Sequence, residues 1–129
     1  MDQPTWVLKS VVFALHEEQL AEHGGSPGLR DEGLLDSALA RPQNLTAYGR
    51  PDMSDMAASY AFGLAKKQAF IDGNKRVSLV VTELFLDLND IQIVATDEEI
   101  LFKWLALAGG QVDEASLAQW IRERVEPFP

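Results

Sequence analysis

Gln68-Ala69-Phe70-Ile71-Asp72-Gly73-Asn74-Lys75-Arg76 lies between two helix-length segments, and its reading decides the fold around it. The Gly73-Asn74 pair stands just before a strongly apolar run, so it puts free backbone N–H groups at a helix start, where the helix dipole also favours an anion. Lys75 and Arg76 then fall in the first helical turn. Cations are unfavourable there unless something negative binds close by, which is how functional sites break local rules.

Downstream, Val77 to Leu88 is apolar on most sides through Leu79, Val80, Val81, Leu84, Phe85 and Leu88, as expected of a buried helix. Upstream, Ser54 is an N-cap for a helix carrying Ala57, Tyr60, Ala61, Leu64 and Ala65 on one face. Its small residues predict a central, tightly packed element. A first helix is expected from Trp6 to His23, with Leu8, Val11, Val12, Leu15 and Leu20 at helical spacing and Gly24-Gly25 as the stop. After the Ser26-Pro27-Gly28 turn, Asp31 caps a short helix whose Leu34, Leu35, Ala38 and Leu39 point inward and which Pro42 ends; Gln43 to Pro51 reads as a loop.

Beyond the buried helix, Ile91-Gln92-Ile93-Val94 has no obvious partner and reads as an extended connector or one arm of a small hairpin. Thr96 or Asp97 caps the next helix, which runs through Ile100, Leu101, Trp104, Leu105 and Ala108 to Gly109-Gly110. Asp113 starts the last one, where Leu117, Trp120, Ile121 and Arg124 keep helical spacing before Pro127 ends regular structure. The expectation is an all-α, compact bundle of about six helices forming a single domain over 1–129, with at most a short extended segment near 91–94.

A formal charge of −9, from 11 Lys+Arg against 20 Asp+Glu, disfavours broad attraction to nucleic acid or to an anionic membrane. Any anion site must be local, and Lys66, Lys67, Lys75 and Arg76 bracket the Gly-Asn turn. Lys66 and Lys67 serve equally well to compensate the C-terminal end of the preceding helix. Without cysteine, neither a disulfide framework nor a thiolate metal site is possible. The N-terminus lacks a basic segment followed by a long apolar one, and no uncharged stretch reaches membrane-spanning length, so a cytoplasmic protein with no membrane association is expected.

Helix, loop and buried helix together resemble the Fic/Doc family, whose signature runs His-x-Phe-x-(Asp/Glu)-(Gly/Ala)-Asn-(Gly/Lys)-Arg. The chain matches every specified position except the first, where Gln68 stands. Lys75 after Asn74 resembles the Doc branch, the death-on-curing toxins of toxin–antitoxin pairs, rather than the adenylylating branch with Gly-Asn-Gly-Arg. His16-Glu17-Glu18-Gln19 followed by His23-Gly24-Gly25-Ser26-Pro27-Gly28-Leu29-Arg30-Asp31 is similar to the Doc-type first helix and its Gly-Gly-x-Pro-Gly turn.

In physical terms Gly73 lets the backbone turn closely around a phosphate, and Asn74 suits both capping the next helix and orienting that turn. Arg76 offers a planar fork for two phosphate oxygens and Lys75 a compact charge. Pairing with Asp72 or Glu83 is their competing structural use. The resemblance implies that Lys75 and Arg76, with Lys66, Gly73 and Asn74, hold ATP and that Asp72 ligates Mg²⁺; an Asx-type turn is the structural alternative for Asp72. Phe70 is expected to pack inward and pin the loop.

Gln68 takes the place of the family's histidine, which accepts the proton of the target hydroxyl, a task that suits an imidazole titrating near neutrality. An amide cannot do this, so binding survives while the chemical step loses the ~10²–10⁴-fold that a positioned base supplies. With the rest of the signature intact, a change that makes a toxic protein safe to produce fits better than natural decay.

By resemblance, the intact form transfers the ATP γ-phosphate to a threonine hydroxyl of elongation factor Tu, and a Phd-type antitoxin segment folds into a groove on the toxin. No self-contained Ser/Thr-x-x-x-Glu-(Gly/Asn) inhibitory motif is evident. A catalytically silent nucleotide- or antitoxin-binding module is the second reading and an adenylyltransferase the third. His16 and His23 are expected at the surface or in a groove, and Trp6, Trp104 and Trp120 as core anchors.

Overall fold

The computed structural model describes residues 3–129. Its elements in chain order are α1 (Lys9–His23), α2 (Glu32–Leu45), α3 (Met53–Lys67), α4 (Asn74–Leu88), β1 (Ile91–Ile93), α5 (Asp97–Ala108), α6 (Glu114–Arg122) and β2 (Val125–Pro127). The all-α expectation holds, with one two-stranded ribbon added.

α3 is the central helix because its side chains are small: Ala57, Ala58, Ser59, Ala61, Gly63 and Ala65 are all buried. A Cβ at Gly63 would lie 3.1 Å from Arg41 Cδ and 3.4 Å from the Ala38 Cα of α2, so α2 lies in close contact with this glycine. On α4, Val77, Val81, Phe85 and Leu86 are buried against it. A buried polar chain joins three helices: the Trp104 indole N–H donates to Ser78 Oγ (3.1 Å), and the Ser78 hydroxyl donates to the Ala61 carbonyl (2.7 Å). Both groups thereby avoid the cost of burial without a partner. Trp104 is fully buried, whereas Trp6 and Trp120 are half-buried around the core.

Four boundaries differ from the sequence reading. α1 starts at Lys9, because Leu8 is extended and Trp6 and Val7 before it pack against the core, Val7 N–H donating to the Tyr60 hydroxyl at 3.1 Å. α2 continues through Pro42 to Leu45. Pro42 removes one i→i−4 bond, but Leu35, Ala38 and Pro42 form one buried stripe, and packing of that stripe outweighs the loss. The α3 cap is Asp52, not Ser54: Asp52 and Asp55 form a reciprocal capping box, and Ser54 is buried in the first turn. Finally, the partner of the Ile91 strand is the C-terminal segment, with Ile91 opposite Pro127, Gln92 opposite Glu126 and Ile93 opposite Val125. Pro127 is the last residue of β2, so regular structure ends there as expected, at a terminal position where its missing N–H is tolerated.

Candidate functional site

α3 ends in Gln68, whose φ of 51° and ψ of 52° put a non-glycine residue in the left-handed region. The turn is held from the Gly-Gly-x-Pro-Gly segment. The Arg30 guanidinium donates to the carbonyls of Lys67 (2.9 Å) and Gln68 (2.8 Å), and the backbone N–H groups of Arg30 and Asp31 donate to the Ala69 carbonyl (2.7 and 3.0 Å). Leu29 and Phe70 form an antiparallel bridge, and Ile71 N–H donates to Gly28 O at 3.1 Å. The two motifs that carried the sequence resemblance are thus one construction in space.

Inside the loop, Asn74 behaves as half of what its sequence position allowed. Its side chain accepts from Phe70 N–H (3.0 Å) and donates to Phe70 O (2.9 Å), which orients the turn. It does not cap α4, for the helix begins at Asn74 itself and its cap position is Gly73, with φ of 78° and no side-chain cap. Phe70 is buried as expected.

His16 corrects the sequence reading. It is only 3% exposed, not a surface residue; its ring stacks on Phe70 with centroids 3.8 Å apart, and Nε2 lies 2.8 Å from the Asp72 carbonyl oxygen. His23, by contrast, is exposed.

The carbonyls of Lys67, Gln68, Ala69, Phe70 and Asp72 are therefore all engaged by protein donors. The first α4 amide to find an acceptor is Val77, which donates to Gly73 O at 2.9 Å. The amides of Asn74, Lys75 and Arg76 have no acceptor among the described residues. At the helix start itself the loop therefore presents the donors of Asn74, Lys75 and Arg76, an arrangement that suits an anion.

These amides open on a cleft of about 430 Å³ lined by Gln68, Asp72, Lys75, Arg76 and, from neighbouring helices, Ala65 and Ala108. Neither Lys75 nor Arg76 has a carboxylate oxygen within ion-pair distance among the described residues, so the alternative pairing with Asp72 or Glu83 is not made. Glu83 lines a separate hollow beside β1. Lys66 is not in the cleft wall; its ammonium lies 3.3 Å from where a Gly110 Cβ would be. A larger hollow of about 510 Å³ beside the 46–51 loop has a mostly apolar lining that includes Asp55 and Glu114, a poor match for an anion.

Asp72 Oδ2 accepts from Ser26 N–H (3.2 Å) and Oδ1 from Gly73 N–H (2.9 Å). These bonds hold its carboxyl below the usual carboxylate range, the Ser26 amide contributing most and the charge of Arg76 less, so Asp72 is ionised at neutral pH. Each oxygen keeps acceptor capacity for a cation. No group of three metal-ligating side chains occurs among the described residues. A single hard carboxylate beside phosphate donors suits Mg²⁺, which takes one or two carboxylates and completes its shell with phosphate oxygens and water.

This architecture defines a class: a helical protein in which a tethered loop opens the start of a buried helix to an anion. The Fic/DOC family model matches residues 6–86, and the chain belongs to that family. Within it the chain falls in the Doc toxin branch. It is 30% identical over 112 residues to "Protein kinase doc" of Escherichia phage P1, covering 86% of this chain and 88% of that protein. It is also 44% identical over 75 residues to "Toxin Doc" of Mycolicibacterium smegmatis, covering 56% of this chain and 57% of that one.

Arg30 and His16 are the site residues that sequence reasoning missed as supports. Arg30 acts on carbonyls about 38 residues away and His16 on one 56 residues away, so neither bond leaves a local pattern. A usable signal for His16 was its position four residues after Val12 and four before Leu20, a polar group set in an apolar stripe.

Proposed function

We propose that this Doc-type toxin binds Mg²⁺–ATP in the cleft at the α4 start and that, with histidine at position 68, its chemistry is transfer of the γ-phosphate to a threonine hydroxyl of elongation factor Tu, arresting translation in the cytoplasm. The observation that carries this reading is the coincidence of three amides, at Asn74, Lys75 and Arg76, that have no acceptor among the described residues with two cations that have no carboxylate partner there. In this reading the amides and Lys75 cradle phosphate oxygens, and the Arg76 fork takes charge that spreads during transfer. Asp72 would hold Mg²⁺, which supplies charge neutralisation at the phosphates. The name of the phage relative, a protein kinase, supports phosphoryl transfer, and Lys75 argues against adenylyl transfer. The Doc toxin relationship supports regulation by an antitoxin, which this reading takes to be of the Phd type.

Gln68 lines the cleft where a general base would stand, and it cannot accept a proton. It favours a second reading for the chain as it stands: a binding module that engages nucleotide or antitoxin with little or no turnover. Expression of the chain beside its Gln68→His variant, followed by transfer assays with γ- and α-labelled ATP on purified elongation factor Tu, separates these readings. The expected result is growth arrest and γ-label transfer only for the variant, with a gain of ~10²–10⁴-fold over the parent. Labelling from the α-phosphate would establish adenylyl transfer instead, and absence of both arrest and label would end the enzyme reading.

A further inference from the structure

The carbonyl of the Asp72–Gly73 peptide has a single donor among the described residues, and that donor comes from α1. Rotating that peptide changes ψ of Asp72 and φ of Gly73, and glycine accepts either sign of φ at little cost, so Gly73 does not oppose the rotated state. The rotation would turn the Asp72 carbonyl towards the side now served by N–H groups and withdraw the Gly73 amide from Asp72 Oδ1. An acceptor would then stand beside the bound anion, and the carboxylate would lose one of its donors.

We infer that His16 is a positioning residue that locks this peptide in the anion-binding orientation. Its Nε2 is 2.8 Å from a carbonyl oxygen, which can only accept, so the ring carries its proton on Nε2 and donates it. Apart from His16, no donor to the Asp72 carbonyl occurs among the described residues. The ring cannot swing away easily, because it is stacked on Phe70 at an interplanar angle of 15°, and Phe13 meets Phe70 edge-on at 6.0 Å. Phe70 is in turn fixed by both Asn74 bonds and by the bridge to Leu29. α1 thereby reaches the site through one hydrogen bond, and its only polar buried side chain is spent on it. Leaving that imidazole N–H without a partner would cost more than an apolar residue of the same size, so a purely structural role would be filled better by a hydrocarbon.

The inference rests on the nucleotide reading for its binding arm and on loop order alone for its second arm. His16→Phe keeps an aromatic ring against Phe70 and removes the donor; His16→Gln restores an N–H at similar reach without the ring. Mg²⁺–ATP affinity is measured by calorimetry, and hydrogen exchange of residues 71–76 is followed in the nucleotide-free proteins. His16→Phe is expected to weaken binding about tenfold and to speed exchange in 71–76 while the interior of α3 stays protected, with His16→Gln recovering part of both. Unchanged loop exchange in His16→Phe, or equal impairment of the two variants, would overturn the inference. If the parent chain itself binds no nucleotide, the proposed function fails and the exchange arm alone decides the role of His16.

Discussion

The starts of α3 and α4 answer the same physical problem in opposite ways. At α3, Asp52 accepts from Asp55 N–H (2.8 Å) and Asp55 returns a bond to Asp52 N–H (3.0 Å). Arg122 of α6 then reaches both carboxylates, at 2.7 Å each. Acid sits at the positive end of the dipole and the cation that joins it is paired. At α4 the cap is a glycine, the first-turn residues include Lys75 and Arg76, and no acid pairs with them among the described residues. The same chain that closes one helix start with a capping box leaves the next open. For stability alone the second start is a defect; for a site it is a helix end whose donors and cations suit an anion.

The largest expected effect on binding comes from Arg76→Ala, which should weaken Mg²⁺–ATP binding about tenfold to a hundredfold by calorimetry, the range for losing charge-assisted hydrogen bonds, with no fall in melting temperature. At the closed start the outcome inverts. Asp52→Ala should lower unfolding free energy by about 1–2 kcal/mol in denaturant titration and leave nucleotide affinity unchanged, because it removes a cap far from the cleft. A smaller gain is expected from Lys75→Glu, which should stabilise the nucleotide-free fold by about 0.3–1 kcal/mol while weakening nucleotide binding. A loss of stability in that variant would break the comparison.

Acid titration gives the finest contrast. The Arg122 guanidinium holds the Asp52 carboxyl down from its ordinary 3.8 to about 2. Its folded pKa lies below its unfolded one, so the contribution of Asp52 is complete above about pH 4 and is lost as pH falls toward about 2. Asp52→Asn should flatten the acid limb of the stability curve in that window. A Gln68→His variant should keep the parental limb there.

The open start was legible in the sequence because its signals are local: a glycine, an amide and two cations against an apolar helix. Its supports were not. Arg30, His16 and Ser26 act through bonds to carbonyls or a carboxylate distant in the chain, and such bonds impose no spacing. The same holds for the fold. Central α3 was announced by its small residues, but its true cap was hidden because Ser54 and Asp52 are both good capping residues two positions apart. The reciprocal bonds between Asp52 and Asp55 and the burial of Ser54 distinguish them. Pro42 misled because its usual effect is outweighed by the stripe it completes with Leu35 and Ala38. The Ile91–Ile93 strand was visible, whereas its partner lay more than thirty residues away at the other end of two helices.

The most direct test of the open helix start is a calorimetric titration of Mg²⁺–ATP into the unmodified chain, Gln68 in place, and into Arg76→Ala under the same conditions. Binding at one site per chain that is weakened at least tenfold by Arg76→Ala is the predicted result. Absence of binding, or binding that the substitution leaves intact, would contradict it.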